Sequence, residues 1–307
     1  MKQGDIMVIG AGPAGLSVCF YADYYGLNTV LFEEKNLGGE AAEIPFVDNY
    51  PGCNQRMTGK ELTDQMIQKC EKNRGEIHQF EKVMEIDIKG NQKMVKTEKG
   101  EYLSEYLVIA SGTHPRVLEV PGESQFKGRG VSYCAVCDGA FFKNKRVVVV
   151  GGNSRAAEVA VFLSGIASDT KLICYQNKLC SEKILINSLD KHNVKVIEGM
   201  ELKEIKGEVS VKSIVLFDEE TQSTKEIEAD GVFFQMEWIP NSQIAKQAGI
   251  KLDDEGYIMV DEKNRTNIKN VYAVGDVTDC SVKLVSTAVS HAAAAVLDII
   301  EQSNQTS

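Results

Sequence analysis

The sequence predicts a three-layer α/β protein built on parallel sheets. Apolar, β-branched runs alternate with helical stretches along the chain, which is typical of α/β units. Two of these runs lead directly into glycine-rich turns that open a helix, as in a Rossmann-like unit. The length of 307 residues exceeds what one core usually supports, so we expect two such domains.

The composition is that of an ordinary globular protein, with 43% hydrophobic and 25% charged residues. The net charge of −10 argues against nucleic acid as the main partner. No apolar run approaches the roughly 18 residues that a membrane span needs, so no membrane partner is expected. A short polar start followed at once by the apolar run 6–9 differs from a signal peptide and indicates a cytoplasmic protein. Thiols stay reduced there, so the eight cysteines do not predict a disulfide framework.

The first glycine turn, at residues 10–15, has the sequence Gly-Ala-Gly-Pro-Ala-Gly. In this pattern Gly10 permits a tight turn, Gly12 lets the backbone approach a pyrophosphate, and Gly15 lets the helix pack on the strand. The helix N-terminus then offers N–H groups to the phosphates. The next apolar strand ends at Glu33, whose carboxylate can accept hydrogen bonds from ribose hydroxyls. These features together predict a dinucleotide-binding domain.

A second turn of the same kind occupies residues 151–156, between an apolar run and a helix that extends to about Ser164. A third segment, near the C-terminus, is an apolar strand that ends in Gly275 and Asp276. The chain therefore has two predicted dinucleotide-type openings and one additional strand end that carries a carboxylate.

Cys134 and Cys137 form the one C-x-x-C motif of the chain. Two cysteines at this spacing at a helix start can close a small disulfide ring, and the helix N-terminus lowers the thiol pKa. Thiol–disulfide exchange needs one accessible thiolate and a second thiol to resolve the mixed disulfide, and the adjacent Asp138 can supply general acid catalysis. The alternatives are a half zinc site or inert thiols. A structural zinc needs four ligands, and the sequence has no second C-x-x-C and no histidine ligand spacing, so no metal site is predicted.

Seen together and in order, these motifs resemble those of the low-molecular-weight thioredoxin reductases, over nearly the whole chain. The segments that carry the resemblance are residues 10–15, 38–39, 49–52, 110–112, 134–139 and 275–277. The resemblance implies two Rossmann-like domains and a homodimer. The FAD-binding domain would be discontinuous, residues 1–115 and 241–307. A central pyridine-nucleotide-type domain, residues 116–240, would carry the C-x-x-C, with connecting strands near 115–122 and 237–241.

The resemblance also implies residue roles. Cys137 would face the flavin, Cys134 would attack the disulfide of thioredoxin, and Asp138 would donate a proton to the departing thiolate. Asn49 would lie near the isoalloxazine and Asp276 would bind the ribitol. The implied FAD-binding residues are Gly10, Gly12, Pro13, Ala14, Gly15, Glu33, Gly39, Asn49, Gly112, Gly275, Asp276 and Lys283.

Three of the remaining side chains leave alternatives open. Lys283 stands where the family has an arginine near the flavin, and the alternative is a solvated surface lysine. Cys174 and Cys180 are expected to be unrelated thiols rather than a second redox pair.

The second nucleotide site departs from the family pattern. Asn153 replaces the middle glycine, so a side chain stands where a pyrophosphate must approach the backbone. Arg155 could reach a phosphate or fill the space. Glu237 replaces a late glycine and would repel phosphates, with a solvated surface charge as the alternative. The positions of the family's phosphate-binding arginines hold Tyr175, Gln176 and Cys180, with one lysine, Lys178, remaining.

These losses favour a resemblance to the ferredoxin-dependent flavin thioredoxin reductases, which lack the NADPH motifs. A low-potential ferredoxin near about −400 mV and thioredoxin near about −270 mV differ by ~130 mV, or about 6 kcal/mol for two electrons. The leading hypothesis is therefore a ferredoxin-linked thioredoxin reductase. A thioredoxin reductase that uses NADPH or NADH at an unusual site is the second hypothesis, and a non-enzymatic flavoprotein redox sensor is the third.

Overall fold

The structure of the protein is a computed structural model that describes residues 2–44, 47, 49–53, 57–71, 75–88, 90, 92–174, 178–236 and 238–306. The strands are β1 (Lys2–Ile9), β2 (Thr29–Glu33), β3 (Glu76–Gln79), β4 (Val83–Asp87), β5 (Lys93–Thr97), β6 (Glu101–Ile109), β7 (Thr113–Pro115), β8 (Val131–Ser132), β9 (Arg146–Val150), β10 (Asp169–Ile173), β11 (Lys195–Ile197), β12 (Met200–Gly207), β13 (Val211–Asp218), β14 (Ser223–Glu228), β15 (Gly231–Phe234), β16 (Trp238–Pro240) and β17 (Val271–Ala273). The α-helices are α1 (Pro13–Tyr24), α2 (Gly59–Glu71), α3 (Ala135–Asp138), α4 (Ser154–Ser164), α5 (Lys183–Lys191), α6 (Gln243–Gln247) and α7 (Val285–Thr306). Short 3-10 helices span Gly39–Glu43, Gly139–Phe142 and Gly275–Val277.

The chain divides into two compact units. Residues 1–114 and 239–307 form the first unit, and residues 115–238 form the central unit. The chain enters the central unit between residues 114 and 115, the first crossing, and leaves it between residues 238 and 239, the second crossing. The boundaries predicted from the sequence lie one residue further along the chain at the first crossing and two residues further at the second. The crossings fall in β7 and β16, which pair with each other. The predicted connecting strand at 115–122 is wrong beyond its first residue, because β7 ends at Pro115 and residues 116–122 form no strand, whereas residues 238–240 of the predicted strand at 237–241 form β16.

The sheet of the first unit has the order β3-β2-β1-β6-β5-β4, with β17 also paired to β6. Strands β1, β2, β3, β6 and β17 run parallel. Strand β6 changes its neighbour along its length, because residues 101–104 pair with antiparallel β5 and residues 107–109 pair with parallel β17. The carboxyl ends of β1, β2 and β17 therefore lie at the same edge of the sheet.

Both faces of β1 are buried, as is usual for a parallel sheet. Ile6 and Val8 belong to one cluster with residues of α1 and α7, and Met7 and Ile9 belong to a second cluster with residues of β4, β5 and α6. The two clusters follow from the alternation of side chains along a strand. They fix β1 and hence the turn that leaves its carboxyl end.

The central unit contains a parallel sheet of order β11-β10-β9-β15-β8 and a separate antiparallel sheet, β12-β13-β14. Along β9, Val147 and Val149 pack with residues of α4, whereas Val148 and Val150 pack with residues of the antiparallel sheet. Helices, parallel sheet and antiparallel sheet thus form three layers.

The predicted three-layer α/β class with parallel sheets is confirmed in both units. The antiparallel strands β4 and β5, and the sheet β12-β13-β14, were not anticipated from the sequence. Among the described residues, no helix is both long enough and apolar enough to cross a membrane.

Candidate redox site and dinucleotide-binding turns

The first glycine turn leaves the carboxyl end of β1 in a space too tight for side chains. Gly10 has a φ of +102°, and a Cβ there would stand 2.4 Å from the carbonyl oxygen of Ala110. A Cβ on Gly15 would stand 1.9 Å from the carbonyl oxygen of Gly10. Because the opposing atoms are backbone, both positions require glycine.

Gly12, by contrast, faces open space, since no atom lies within 4 Å of the place where its Cβ would stand. It is the N-cap of α1, and no side chain caps the helix there. Pro13 occupies the start of the helix, where its missing N–H costs nothing. The N-terminus of α1 is therefore open to a phosphate group, whose negative charge it would stabilise.

Two distant glycines converge on this turn. A Cβ on Gly39 would lie 2.9 Å from Cα of Gly12, and a Cβ on Gly275 would lie 2.8 Å from Cβ of Ala14. Three segments that are far apart in the sequence therefore meet at the start of α1. All four of these residues were candidates from the sequence, and the structure brings them together.

Glu33 ends β2 beside the same turn. Its Oε2 accepts a hydrogen bond from the N–H of Ala11 at 2.8 Å, and its Oε1 accepts one from the N–H of Lys35 at 2.7 Å. The carboxylate thus supports the turn. Each oxygen keeps a further lone pair, which can accept from a ribose hydroxyl as the sequence predicts.

Asp276 is half-buried in the 3-10 helix that follows β17. Nζ of Lys283 donates to the carbonyl oxygens of Asp276 and Thr278 at 3.0 and 2.5 Å and lies 4.1 Å from the ring centroid of Tyr257. Lys283 therefore holds the backbone that carries Asp276. Its contact with a flavin remains a prediction.

His291, to which the sequence analysis assigned no chemistry, also supports this segment. Its Nδ1 accepts a hydrogen bond from the N–H of Gly275 at 3.3 Å. Burial, with a smaller contribution from the nearby charge of Lys283, lowers the pKa of His291. The ring is therefore neutral and able to accept. The available signal was its place on the small-residue helix that follows the Gly-Asp segment.

Asn49 and Gly112 complete the predicted cofactor residues. Asn49 is exposed and lies in a bend. Gly112 has a φ of +62°, and its carbonyl oxygen accepts from the N–H of Asn241 at 2.9 Å. Their cofactor roles stay predictions.

Cys134 and Cys137 form a disulfide, with their Cα atoms 5.4 Å apart. Cys134 is the N-cap of α3, and its Sγ accepts a hydrogen bond from the N–H of Cys137 at 3.1 Å. After reduction this donor favours the thiolate form of Cys134. In the disulfide form Cys137 is exposed and Cys134 is half-buried.

Asp138 is held by a residue that the sequence analysis missed. Oγ of Ser132 donates to Oδ2 of Asp138 at 2.7 Å and also accepts from the N–H of Cys134 at 3.1 Å. Ser132 is buried at the end of β8. The signal in the sequence was a small hydroxyl residue two positions before the first cysteine.

The other cysteines are free thiols. Cys19, Cys70 and Cys174 are buried, and burial raises the pKa of each thiol. Cys180 is exposed and forms no disulfide with Cys174. A buried thiol with a raised pKa forms little thiolate and is a poor nucleophile.

The second glycine turn keeps the fold of a dinucleotide turn but not its open helix end. A Cβ on Gly151 would stand 2.1 Å from the carbonyl oxygen of Gln235, so the tight strand–helix connection is retained. Asn153 is the N-cap of α4 with a φ of −113°, and its Oδ1 accepts from the N–H of Ala156 at 3.0 Å. The side chain of Asn153 therefore accepts from an N–H group at the start of α4. At the start of α1, which Gly12 caps, no side chain does so.

Two further side chains modify this turn. Nε of Arg155 donates to Oε1 of Gln235 at 3.2 Å, and its guanidinium lies 4.9 Å from the ring centroid of Trp238. A hydrogen bond from Ser154 lowers the pKa of Glu182, so a carboxylate also lies at the start of α4. Lys178 is exposed, whereas Tyr175, Gln176 and Glu237 lie outside the described residues.

The first turn fits the ADP part of FAD. The open position beside Gly12 leaves room for a pyrophosphate, and Glu33 stands at the adjacent strand end to accept from a ribose. The second turn lacks this open position at Asn153.

Comparison with known proteins identifies the family. The family model for pyridine nucleotide-disulphide oxidoreductases matches residues 4–292. A 34.2 kDa protein in the rubredoxin operon of Clostridium pasteurianum is 37% identical over 297 residues, covering 96% of each chain. The thioredoxin reductase of Treponema pallidum is 34% identical over 304 residues, covering 97% of this chain and 98% of the relative.

Among solved structures, the thioredoxin reductase of T. acidophilum superimposes with a TM-score of 0.94 at 33% identity, covering 99% of each chain. The thioredoxin reductase of Lactococcus lactis superimposes with a TM-score of 0.92 at 32% identity, covering 97% of this chain and 98% of that one. The chain therefore belongs to the pyridine nucleotide-disulphide oxidoreductase family, as a thioredoxin reductase-like disulfide oxidoreductase whose cofactor is FAD.

Proposed function

We propose that the protein reduces thioredoxin through the Cys134–Cys137 dithiol. The observation that carries the proposal is the disulfide at the start of α3, in which Sγ of Cys134 accepts the N–H of Cys137. Bound FAD supplies the two electrons that reduce this disulfide. The similarity to thioredoxin reductases over nearly the whole chain supports thioredoxin as the acceptor.

The exchange with thioredoxin then uses this chain's own groups. The Cys134 thiolate attacks one sulfur of the thioredoxin disulfide and forms a mixed disulfide, and the departing sulfur takes a proton from the carboxyl group of Asp138. The ionised Asp138 then accepts the thiol proton of Cys137, whose sulfur attacks that of Cys134. The second thioredoxin sulfur leaves, receives this proton from Asp138, and the Cys134–Cys137 disulfide is restored. Thioredoxin thereby gains two electrons and two protons.

Ser132 positions Asp138 in this sequence. Its Oγ lies 2.7 Å from Oδ2 of Asp138 and 3.1 Å from the carbonyl oxygen of Cys134. The single hydroxyl hydrogen can point to the carboxylate when Asp138 is ionised and to the carbonyl oxygen when Asp138 itself donates. The same residue therefore supports both protonation states of the acid.

For the electron donor we propose reduced ferredoxin. The side-chain cap of Asn153 on α4 and the inward contacts of Arg155 support a second turn that receives no dinucleotide phosphate. Glu182 adds negative charge at the same turn. Lost charge-assisted hydrogen bonds to a 2′-phosphate, about 1.5–3 kcal/mol each, act in the same direction.

NADPH or NADH as donor is the second candidate. The family name and the thioredoxin reductase of Treponema pallidum, at 34% identity, favour it. Arg155 is the one cation on the second turn, and NADH would not require a partner for a 2′-phosphate.

Stopped-flow absorbance under strict anaerobiosis separates the donors. Reduced ferredoxin, NADPH and NADH are mixed separately with the holoenzyme, and flavin bleaching is followed with and without thioredoxin. We expect rapid bleaching and thioredoxin turnover with ferredoxin alone. Rapid bleaching by micromolar NADPH, coupled to thioredoxin reduction, would replace the ferredoxin proposal with the second candidate. A Cys134→Ser, Cys137→Ser double variant serves as the control, because it should retain flavin reduction and lose thioredoxin turnover.

The assembly and the compartment follow from the same resemblance. We propose a cytoplasmic homodimer, which sedimentation analysis of the holoenzyme would test.

A further inference from the structure

Tyr133, the residue immediately before Cys134, is held at three points within the central unit. Its hydroxyl donates to Oε1 of Glu123 at 2.7 Å, and its carbonyl oxygen accepts from Nε2 of Gln235 at 3.1 Å. Its ring stacks on Phe234, with centroids 5.6 Å apart and an interplanar angle of 25°. The backbone that enters the redox disulfide is therefore fixed by side chains from two other segments.

The Glu123 contact belongs to the segment that follows the first crossing. Glu123 is 1% exposed. Besides the Tyr133 hydroxyl, its carboxylate accepts from the N–H groups of Leu118 and Val120 at 3.4 and 3.2 Å. Glu123 thus joins the chain that leaves β7 to the residue before Cys134.

The Gln235 contact belongs to the segment that leads to the second crossing. Gln235 is 5% exposed, and its Oε1 accepts from Nε of Arg155. The guanidinium of Arg155 in turn lies over the ring of Trp238, the first residue of β16. Each of the two segments next to the crossings therefore supplies one hydrogen-bond partner to Tyr133, Glu123 in the first segment and Gln235 in the second.

We propose that Tyr133 is a positioning residue for the redox dithiol, which holds the backbone at Cys134 in the conformation of the closed disulfide. It acts through the chain rather than by touching a reacting sulfur. The inference rests on the proposed use of Cys134 and Cys137 as the redox pair.

The direction of the effect follows from the structure. The three contacts are present in the disulfide form, so they limit the freedom of the backbone in the state where the sulfurs are joined. Removal of one contact leaves the disulfide intact and gives the open dithiol more conformational freedom. The equilibrium should therefore shift toward the dithiol.

The test is a thiol–disulfide equilibrium of the holoenzyme with dithiothreitol. Each protein disulfide takes two electrons and two protons from one dithiothreitol, which closes to its cyclic disulfide. Anaerobic mixtures are quenched by alkylation, the fraction of Cys134–Cys137 dithiol is read by mass, and flavin absorbance is read in the same samples. For Tyr133→Phe we expect the equilibrium constant to shift at least threefold toward the dithiol.

Tyr102→Phe is the matched control. The Tyr102 hydroxyl donates to Oε1 of the buried Glu81 at 2.8 Å, so the same chemical group is lost in the first unit and not in the unit that carries the dithiol. The melting temperature of Tyr102→Phe should fall about as much as that of Tyr133→Phe, with no shift in the dithiol equilibrium. Equal equilibrium constants for Tyr133→Phe, Tyr102→Phe and the wild type would overturn the proposal.

Gln235→Leu provides a second route if Tyr133→Phe does not fold. It removes the donor to the Tyr133 carbonyl oxygen and should shift the equilibrium in the same direction. In the Tyr133→Phe, Gln235→Leu double variant, the shifts of the dithiol equilibrium from the two substitutions should be less than additive, because both act on Tyr133. An additive result would contradict the proposal. If the wild-type enzyme fails to reduce thioredoxin while Tyr133→Phe still shifts the dithiol equilibrium, thioredoxin is excluded as the acceptor and the role of Tyr133 stands.

Discussion

The hydroxyl of Ser132 donates a hydrogen bond of 2.7 Å to Oδ2 of Asp138, from a buried strand end beside the redox disulfide. Ser132→Ala should lower kcat for thioredoxin reduction by about tenfold, since it removes part of a general-acid contribution that is itself worth roughly a hundredfold or more. FAD content should not change. The pH profile of kcat should be altered, which a loss of stability alone would not cause.

Ser213→Ala is the control for that variant. Ser213 donates to Oε1 of Glu226 at 2.5 Å in the antiparallel sheet of the same unit, so an equivalent serine–carboxylate pair is lost. Its turnover should equal that of the wild type. A wild-type pH profile for Ser132→Ala would show that Asp138 needs no support from the serine.

The two redox cysteines should be indispensable for turnover and dispensable for FAD binding. Cys134→Ser and Cys137→Ser should each abolish thioredoxin reduction with one FAD retained per chain, since each removes one partner of the exchange. Cys174→Ser with Cys180→Ser should leave turnover largely intact, because one thiol is buried and the pair is not bonded. Steady-state turnover and flavin absorbance measure both. The reverse pattern would mean that the active dithiol has been misassigned.

Two glycines of the first turn should respond differently to substitution. Gly12→Val points into open space, so the protein should fold and lose FAD, because the side chain occupies the place of the pyrophosphate. Gly15→Ala should destabilise the protein itself by more than about 2 kcal/mol, since its Cβ would meet the carbonyl oxygen of Gly10 at 1.9 Å. Circular dichroism melts and flavin content distinguish the two outcomes. Full FAD content in Gly12→Val would place the cofactor elsewhere.

Restoring arginines alone should not restore a pyridine nucleotide site. Tyr175→Arg, Gln176→Arg and Cys180→Arg together should change NADPH-driven flavin reduction little while Asn153 caps α4 and Glu237 remains. Adding Asn153→Gly should increase it, at a stability cost of only a few tenths of a kcal/mol for the cap. Stopped-flow rates at several NADPH concentrations report the order of the effects. Strong NADPH activity from the three arginines alone would show that the asparagine cap is no obstacle.

Glu81 should make the first unit sensitive to acid. Burial alone would raise the pKa of Glu81, but hydrogen bonds from Thr97, Tyr102, His78 and Lys99 outweigh it and hold the pKa at about 2. A folded-state pKa below the unfolded value stabilises the fold above the unfolded pKa, and this contribution is lost as the pH falls toward 2. Glu81→Gln should therefore lower the free energy of unfolding by about 2 kcal/mol at pH 7. The difference from the wild type should shrink between about pH 4.5 and pH 2 in urea titrations. A pH-independent difference would mean that the ionised carboxylate is not what stabilises the site.

Much of the fold and of the site could be predicted from short sequence motifs. The spacing of Gly10, Gly12 and Gly15 and the strand that ends at Glu33 describe a geometry that is complete within one strand–turn–helix unit. The structure has that geometry, because a glycine turn allows few alternatives. The C-x-x-C motif was equally local, and its disulfide closes within a single turn.

Contacts between distant segments could not be predicted in the same way. Ser132 and Gln235 are ordinary residues in the sequence, and their roles depend on where the end of β8 and the residue after β15 lie relative to Asp138 and Tyr133. The sheet β12-β13-β14 was missed because the alternation of apolar and polar residues along its strands is irregular, and two register shifts interrupt the pairing of β12 with β13. The role of His291 was also missed, because its partner Gly275 lies on the turn before the helix and not on the helix itself.

The double pairing of β6 has a consequence for synthesis on the ribosome. The carboxyl half of β6 receives its parallel neighbour, β17, only after the whole central unit has been translated, and α7, which shares a core cluster with α1, follows later still. At about 5–20 residues per second, β1 and α1 wait on the order of ten seconds or more for these partners. The central unit is contiguous and can complete its own sheet meanwhile. We therefore expect the nascent chain to become protease-resistant first in the middle, with the surrounding unit, and its capacity to hold FAD, acquired only when the last helix has left the exit tunnel.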